Sequence, residues 1–139
     1  MIQRMPRQLD SVEVRVLGCL LEKQQAPPDY YPLTLNALVA ACNQRSNRYP
    51  VLRLSEREVG QALGRLVQDQ LVLRDDGGRA ARWSQNVDRR LGLDAACKAA
   101  LTVLLLRGPQ TAGEVRSRTA RLHEFGSAAA AEAALADLA

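Results

Sequence analysis

The sequence predicts a mainly α-helical protein with one small β-hairpin, and three observations carry that expectation. Apolar residues recur at the three-and-four spacing of a buried helical stripe in several runs, divided by proline- or glycine-containing breaks. One stretch, LVLRDDGGRAARW, abandons that period for two short extended runs about an Asp-Gly turn. Composition agrees: hydrophobic residues make up 47% of the 139-residue chain but aromatic ones only 4%, which suits helices packed through Leu, Val and Ala better than an aromatic-rich sandwich.

The elements follow in order. From Asp10, DSVEVRVLGCLLEK places Val12, Val16, Leu17, Leu20 and Leu21 on one face, with Asp10 and Glu13 as a capping pair, and predicts the first helix. APPDYYP cannot continue it, because proline lacks an amide donor and clashes with the preceding turn, so an extended connection is expected. Thr34 can cap a short second helix carrying Leu35, Leu38, Val39 and Cys42. That helix runs into ACNQRSNRYPV, where Asn43, Gln44, Arg45, Ser46, Asn47 and Arg48 present amides, hydroxyls and guanidiniums in unbroken succession. Ser55 and Glu58 form a Ser-x-x-Glu capping box ahead of a third helix with Val59, Leu63, Leu66, Val67 and Leu71 as its apolar stripe. The hairpin comes next, with Leu71, Leu73 and Trp83 as its expected core anchors.

Three helices followed by a two-stranded hairpin is the element order of a winged helix-turn-helix domain. The second half repeats the first: Leu9-Asp10 recurs as Leu93-Asp94, Leu33-Thr34 as Gln110-Thr111, and Ser55 with Leu63 and Leu66 as Ser127 with Leu135 and Leu138. The expected architecture is therefore mainly α with a small β-hairpin wing, as tandem winged helix-turn-helix domains over residues 1–90 and 91–139 that meet across Trp83 to Gly92. The second copy stops at Ala139, where its hairpin should begin, so it is expected to be truncated before its wing, as a piece of a longer protein or as a variant lacking that wing.

Composition excludes several classes of function. Cys19, Cys42 and Cys97 lie far apart with no Cys-x-x-Cys pair and only His123 to accompany them, so no metal site and no cofactor is expected, and the cysteines read as reduced core thiols of a cytoplasmic protein. The longest apolar run, Leu101 to Leu106 around one threonine, is too short to cross a bilayer, and no signal peptide is apparent. A Gly-rich phosphate loop, a nucleophile elbow and a carboxylate cluster at metal-ligand spacing are all missing, so the chain is not expected to be an enzyme.

The long matching runs EKQQAPPDYYPLTLNALVAACNQRSNRYPV, RVLGCLLEK and LLLRGPQTAGEVRSRTARLHEF closely resemble the YceH-like family of uncharacterised bacterial proteins. The resemblance spans nearly the whole chain. It implies two tandem winged-helix domains in a cytoplasmic protein and a longer chain with a second wing and tail. It implies no assigned activity.

Function is therefore sought in the surfaces. With Val59, Leu63 and Leu66 inward, the third helix presents Arg57, Gln61, Gly64, Arg65 and Gln68 outward; arginine and glutamine at that spacing suit guanine and adenine edges in a major groove. Arg74, Arg79 and Arg82 on the hairpin are candidates to straddle a phosphate backbone, although Asp75 and Asp76 sit at its tip. Arg45 and Arg48 extend the same edge, with Asn43 and Asn47 as capping or hydrogen-bonding groups. Residues 1–90 hold 14 basic and 10 acidic side chains against 5 of each in 91–139, so any electrostatic footprint for DNA belongs to the first half. The expectation is a winged-helix protein that binds double-stranded DNA, in the manner of a transcriptional regulator. The alternative is a protein-interaction scaffold that homodimerises or docks a partner through the second half, where SAAAAEAALADLA carries no cation and where Arg116, Arg118, Arg121 and His123 form a basic strip on the preceding segment.

Overall fold

The computed structural model describes residues 5–139 and is mainly helical, with a small three-stranded antiparallel sheet compatible with a winged-helix-like fold. Helix α1 (Ser11–Gln25) starts at the anticipated capping box: the Asp10 carboxylate accepts the Glu13 amide at 2.8 Å and Glu13 returns the bond to the Asp10 amide at 2.9 Å. After the proline-rich connection comes a strand that no period in the sequence marks, β1 (Leu33–Thr34), which passes directly into α2 (Leu35–Cys42) with Thr34 as N-cap. Helix α3 (Glu56–Gln68) carries the Ser55–Glu58 capping box and buries Val59, Ala62, Leu63 and Leu66.

Strands β2 (Val72–Asp75) and β3 (Arg82–Gln85) form the hairpin, with Val72 opposite Gln85 and Asp75 opposite Arg82; β1 pairs on the far side of β3, Leu33 opposite Trp83. The Asp75 carboxylate accepts the Gly77 amide inside the turn at 2.8 Å. One expected anchor is corrected. Successive strand residues face opposite sides, so burial of Val72 turns Leu73 outward, where it is 47% exposed; the inward contacts come from Leu71, Val72 and the half-buried Trp83.

A single-turn helix α4 (Val87–Leu91) ends at Gly92, whose φ of 68° lies in the left-handed region. Helices α5 (Ala95–Arg107), α6 (Ala112–Arg118) and α7 (Ala128–Leu138) follow. Their caps Asp94, Thr111 and Ser127 each accept the amide three residues on, the bond that Asp10, Thr34 and Ser55 make at α1, α2 and α3.

Helix α1 packs on α5 more extensively than on any element of its own half, and buried apolar side chains from both halves form one cluster. Close approach is possible because residue 18 is glycine: a Cβ there would lie 2.8 Å from Leu106 Cδ2 and 3.2 Å from Leu105 Cβ. Polar ties reinforce the contact. Gln25 Nε2 donates to Thr102 Oγ1 at 2.8 Å, the Tyr49 amide to the Leu106 carbonyl at 2.9 Å, and Lys98 Nζ to both Asp88 and Gln24 at 3.2 Å.

The start of α1 also fastens α3. Glu13, buried, forms ion pairs with Arg7 and with Arg65 of α3, the latter at 3.1 Å, while Arg7 reaches Asp69 just beyond α3 at 2.8 Å. The hydrogen bond from Arg7, opposed by burial and assisted by the Asp10 amide and Arg65, holds the Glu13 carboxyl at about 2, well below the usual carboxylate range.

Two consequences are measurable. Gly18→Ala should destabilise the fold by about 1–3 kcal/mol through overpacking between α1 and α5, read as a lower urea midpoint. Because the folded pKa of Glu13 is depressed, its contribution is fully present above the ordinary glutamate value of 4.5 and is lost as pH falls toward about 2. Denaturation midpoints of the native protein should fall across that interval, and Glu13→Gln should flatten the fall; parallel pH curves for the two proteins would contradict this role for Glu13.

Candidate nucleic-acid interface

The polar stretch after α2 builds a closed loop. Asn43 bonds both ways with the backbone of Leu54, donating Nδ2 to its carbonyl at 2.9 Å and accepting its amide at 2.7 Å, so residues eleven apart are tied as if by a strand bridge. Two guanidiniums cap the carbonyls at the end of α2: Arg48 Nε donates to Ala41 at 3.1 Å, and Arg15 donates to Cys42 at 3.0 Å and also to Pro50. Arg48 further grips Glu22 of α1 with two bonds, at 2.7 and 3.1 Å. Tyr49, 72% exposed, and Val51, 50% exposed, stand at the outside of this loop.

The eight candidates separate by what already holds them. Arg48 is a correction: its side chain has no exposure and is saturated by Glu22, Ala41 and Asn47, so it is not presented to a phosphate. Arg65 is half-exposed but turns toward α1, 3.3 Å from Asp10 and 3.1 Å from Glu13. Arg82 donates from one nitrogen to the carbonyls of Tyr30 and Pro32, both at 2.9 Å, and so fastens the proline-rich connection to the sheet. Arg74 pairs with Asp76 at 2.9 Å and lies 5.5 Å from the centre of the Trp83 ring.

Arg45, Arg57, Arg79 and Gln61 remain exposed, with no ion pair or side-chain hydrogen bond among the described residues. Arg53, which sequence reasoning missed, is exposed and likewise unpaired among the described residues, as are Arg89 and Arg90 of α4 and Arg121 beyond α6. For Arg53, its position two residues before the α3 cap was the available signal. The Asn43–Leu54 tie makes the grouping local: Arg45 leaves the tie on one side and Arg53 on the other, and Arg53 and Arg57 flank Ser55. On α3 itself Gly64 is exposed, and a Cβ on Gly60 or Gly64 would meet nothing within 4 Å.

The three cysteines are free and buried. Contact with Cys19 and burial push the Cys42 thiol well above its usual range. Cys97 is brought beside two carboxylates that the linear spacing did not reveal: Asp94, Cys97 and Asp137 place donor atoms within 4.8 Å of one another, and Cys97 Sγ lies 3.2 Å from Asp137. Burial and then the two carboxylates push that thiol up to about 12, which keeps it a hydrogen-bond donor. No described helix is long and apolar enough to cross a membrane.

Comparison with known proteins places the chain among close relatives. Residues 9–139 match the family model described as "Protein of unknown function, DUF480". A UPF0502 protein of Geobacter sulfurreducens is 52% identical over 132 residues, covering 94% of this chain and 60% of its own. Another from Geotalea uraniireducens is 51% identical over 135 residues, covering 96% and 62%, and one from an Acidovorax species is 50% identical over 132, covering 95% and 59%. The chain thus spans about three fifths of the length of the curated relatives it matches. Matched over nearly all of its residues by the family model and about half identical to these bacterial proteins, the chain belongs to the UPF0502 family, described as DUF480.

Proposed function

We propose that this chain is a DNA-binding protein of tandem winged-helix design, with residues 1–90 as the unit that meets duplex DNA and 91–139 as the helical part of the second unit. Control of transcription is the role such a protein would serve. The observation that carries this reading is the set of arginines around the start of α3 that are unpaired among the described residues: Arg53 and Arg57 on either side of its cap, and Arg45 on the tied loop. Unpaired, exposed guanidiniums on a helix and its entry loop are suited to backbone phosphates, and Gln61 one turn after Arg57 is suited to a base edge. Arg79 supplies a further free cation on the hairpin turn. The matching pattern of caps at α1–α3 and α5–α7 supports the tandem design.

A second reading, docking of a partner or a second copy through α7, is favoured by one feature. Its exposed face carries Ala129, Ala133 and Ala136 with Glu132 and Asp137 and has no cation, a surface unsuited to DNA.

The DNA reading is tested by fluorescence anisotropy with random-sequence duplex at several salt concentrations. Replacing Arg45, Arg53, Arg57 and Arg79 with alanine should weaken binding and lower the slope of log affinity against log salt by about 0.9 for each phosphate left without its guanidinium. Gly64→Ala should raise helix stability by roughly 0.5–1 kcal/mol yet weaken DNA binding, because the added methyl meets open space in the free protein but stands on the approach face. Arg48→Ala, by contrast, should cost roughly 3–5 kcal/mol of stability by leaving Glu22 buried without its partner. Absence of duplex binding at low salt would refute the DNA reading; a concentration-dependent dimer abolished by changes on α7 would support the second one.

A further inference from the structure

The loop that links α2 to α3 combines features that connecting two helices does not require. From Asn43 to Leu54, the two residues that tie its ends, the chain holds three arginines and no acid. One of the three, Arg48, is buried against Glu22, while Arg45 and Arg53 are exposed and unpaired among the described residues. Between those two cations in the chain stand three consecutive apolar residues that face solvent, Tyr49, Pro50 and Val51. Tyr49, at 72%, is the most exposed large hydrophobic side chain among the described residues.

The main chain holds this tip in place. The Tyr49 amide donates to the Leu106 carbonyl at 2.9 Å, the Pro50 carbonyl accepts from Arg15, and the neighbouring Arg48 guanidinium is saturated by Glu22, Ala41 and Asn47. The Tyr49 hydroxyl has no hydrogen-bond partner among the described residues. A single exposed aromatic on a loose loop needs no explanation, but an anchored one presents its face with little ordering left to be lost on binding. Pro50 and Val51 extend the apolar surface beyond the ring.

We infer that this tip is a stacking platform for an unstacked base, so that the chain binds DNA carrying an unpaired nucleotide in preference to fully paired duplex. This site rests on the DNA reading and names the form of DNA it takes. Every base has a π-face that an aromatic ring can meet whatever the sequence, and guanidiniums on the same loop suit the flanking phosphates. Arg45 and Arg53 each lie four residues from Tyr49, at most about 14 Å along the chain, which is the rise of about four nucleotides in one strand. A base inside regular duplex is already stacked on both faces, so seating it on Tyr49 costs unstacking; a base in a bulge or at a strand end has less stacking to lose. Free cations with no acid among them favour a polyanion over an apolar protein partner as the occupant.

The test measures, by fluorescence anisotropy with the full chain at one low salt concentration, binding of a fully paired duplex and of the same duplex with one extra unpaired nucleotide. The bulged duplex should bind about tenfold more tightly. Tyr49→Ala should abolish that preference with an unchanged unfolding midpoint, and Tyr49→Phe should retain it, because stacking needs the ring and not the hydroxyl. Equal affinity for the two DNAs, or a preference that survives Tyr49→Ala, would overturn the stacking site while leaving the DNA reading in place. Absence of binding to either DNA would overturn both. A DNA-free dimer in sedimentation that Tyr49→Ala dissolves would show the tip to be a contact between copies of the chain, and would overturn the stacking site as well.

Discussion

The loop that links α2 to α3 is held by the buried charges at the end of α2. A helix terminus leaves carbonyls without intrahelical partners, and here they face the interior rather than water. Arg48 and Arg15 supply the missing donors, and Glu22 from α1 balances Arg48. Arg15 has no carboxylate of its own among the described residues, and burial pulls its pKa below the ordinary arginine value. Desolvating a guanidinium is expensive, and the arrangement persists because carbonyls and one carboxylate satisfy most of its hydrogens. Beside Arg48, Asn47 adopts φ 57°, the Tyr49 amide meets α5, and Asn43 closes on Leu54 one residue before the α3 cap Ser55.

Local signals in the sequence were legible and distant ones were not. The capping residues at Asp10, Thr34 and Ser55, the apolar stripes and the Asp-Gly hairpin all rest on contacts within a few residues, and each marks an element of the structure. β1 was hidden because two residues carry no period, and its existence depends on β3, nearly fifty positions away, being there to pair with it. Leu73 was misread because alternation along a strand shows which residues share a face but not which face meets the core.

The candidate site was legible as a group of cations and not as individual roles. Arg45, Arg48, Arg57 and Arg65 look alike in a linear chain, yet Arg48 answers a carboxylate 26 residues earlier and Arg65 one 52 residues earlier. Which arginine is free depends on where the acids of α1 arrive, and that is a tertiary fact. Arg53 follows the same rule: no local pattern singles it out, and it stands exposed beside the α3 cap. Arginine-rich composition thus divides into guanidiniums that hold backbone, guanidiniums that hold acids, and a third group that faces solvent, Arg45, Arg53, Arg57, Arg79, Arg89, Arg90 and Arg121 among the described residues.

The close seat of Gly18 against Leu105 and Leu106 has a consequence for how the molecule comes apart. When two helical units meet over small, polar contacts, each can melt separately and the chain shows successive transitions. Here the face of α1 that contacts α5 is apolar and enclosed, and it lies in the same cluster that holds α2 and α3. Loss of α5 would open that cluster to water, which couples the stability of the two halves. What the sequence presents as duplication is, in its buried apolar cluster, one continuous core.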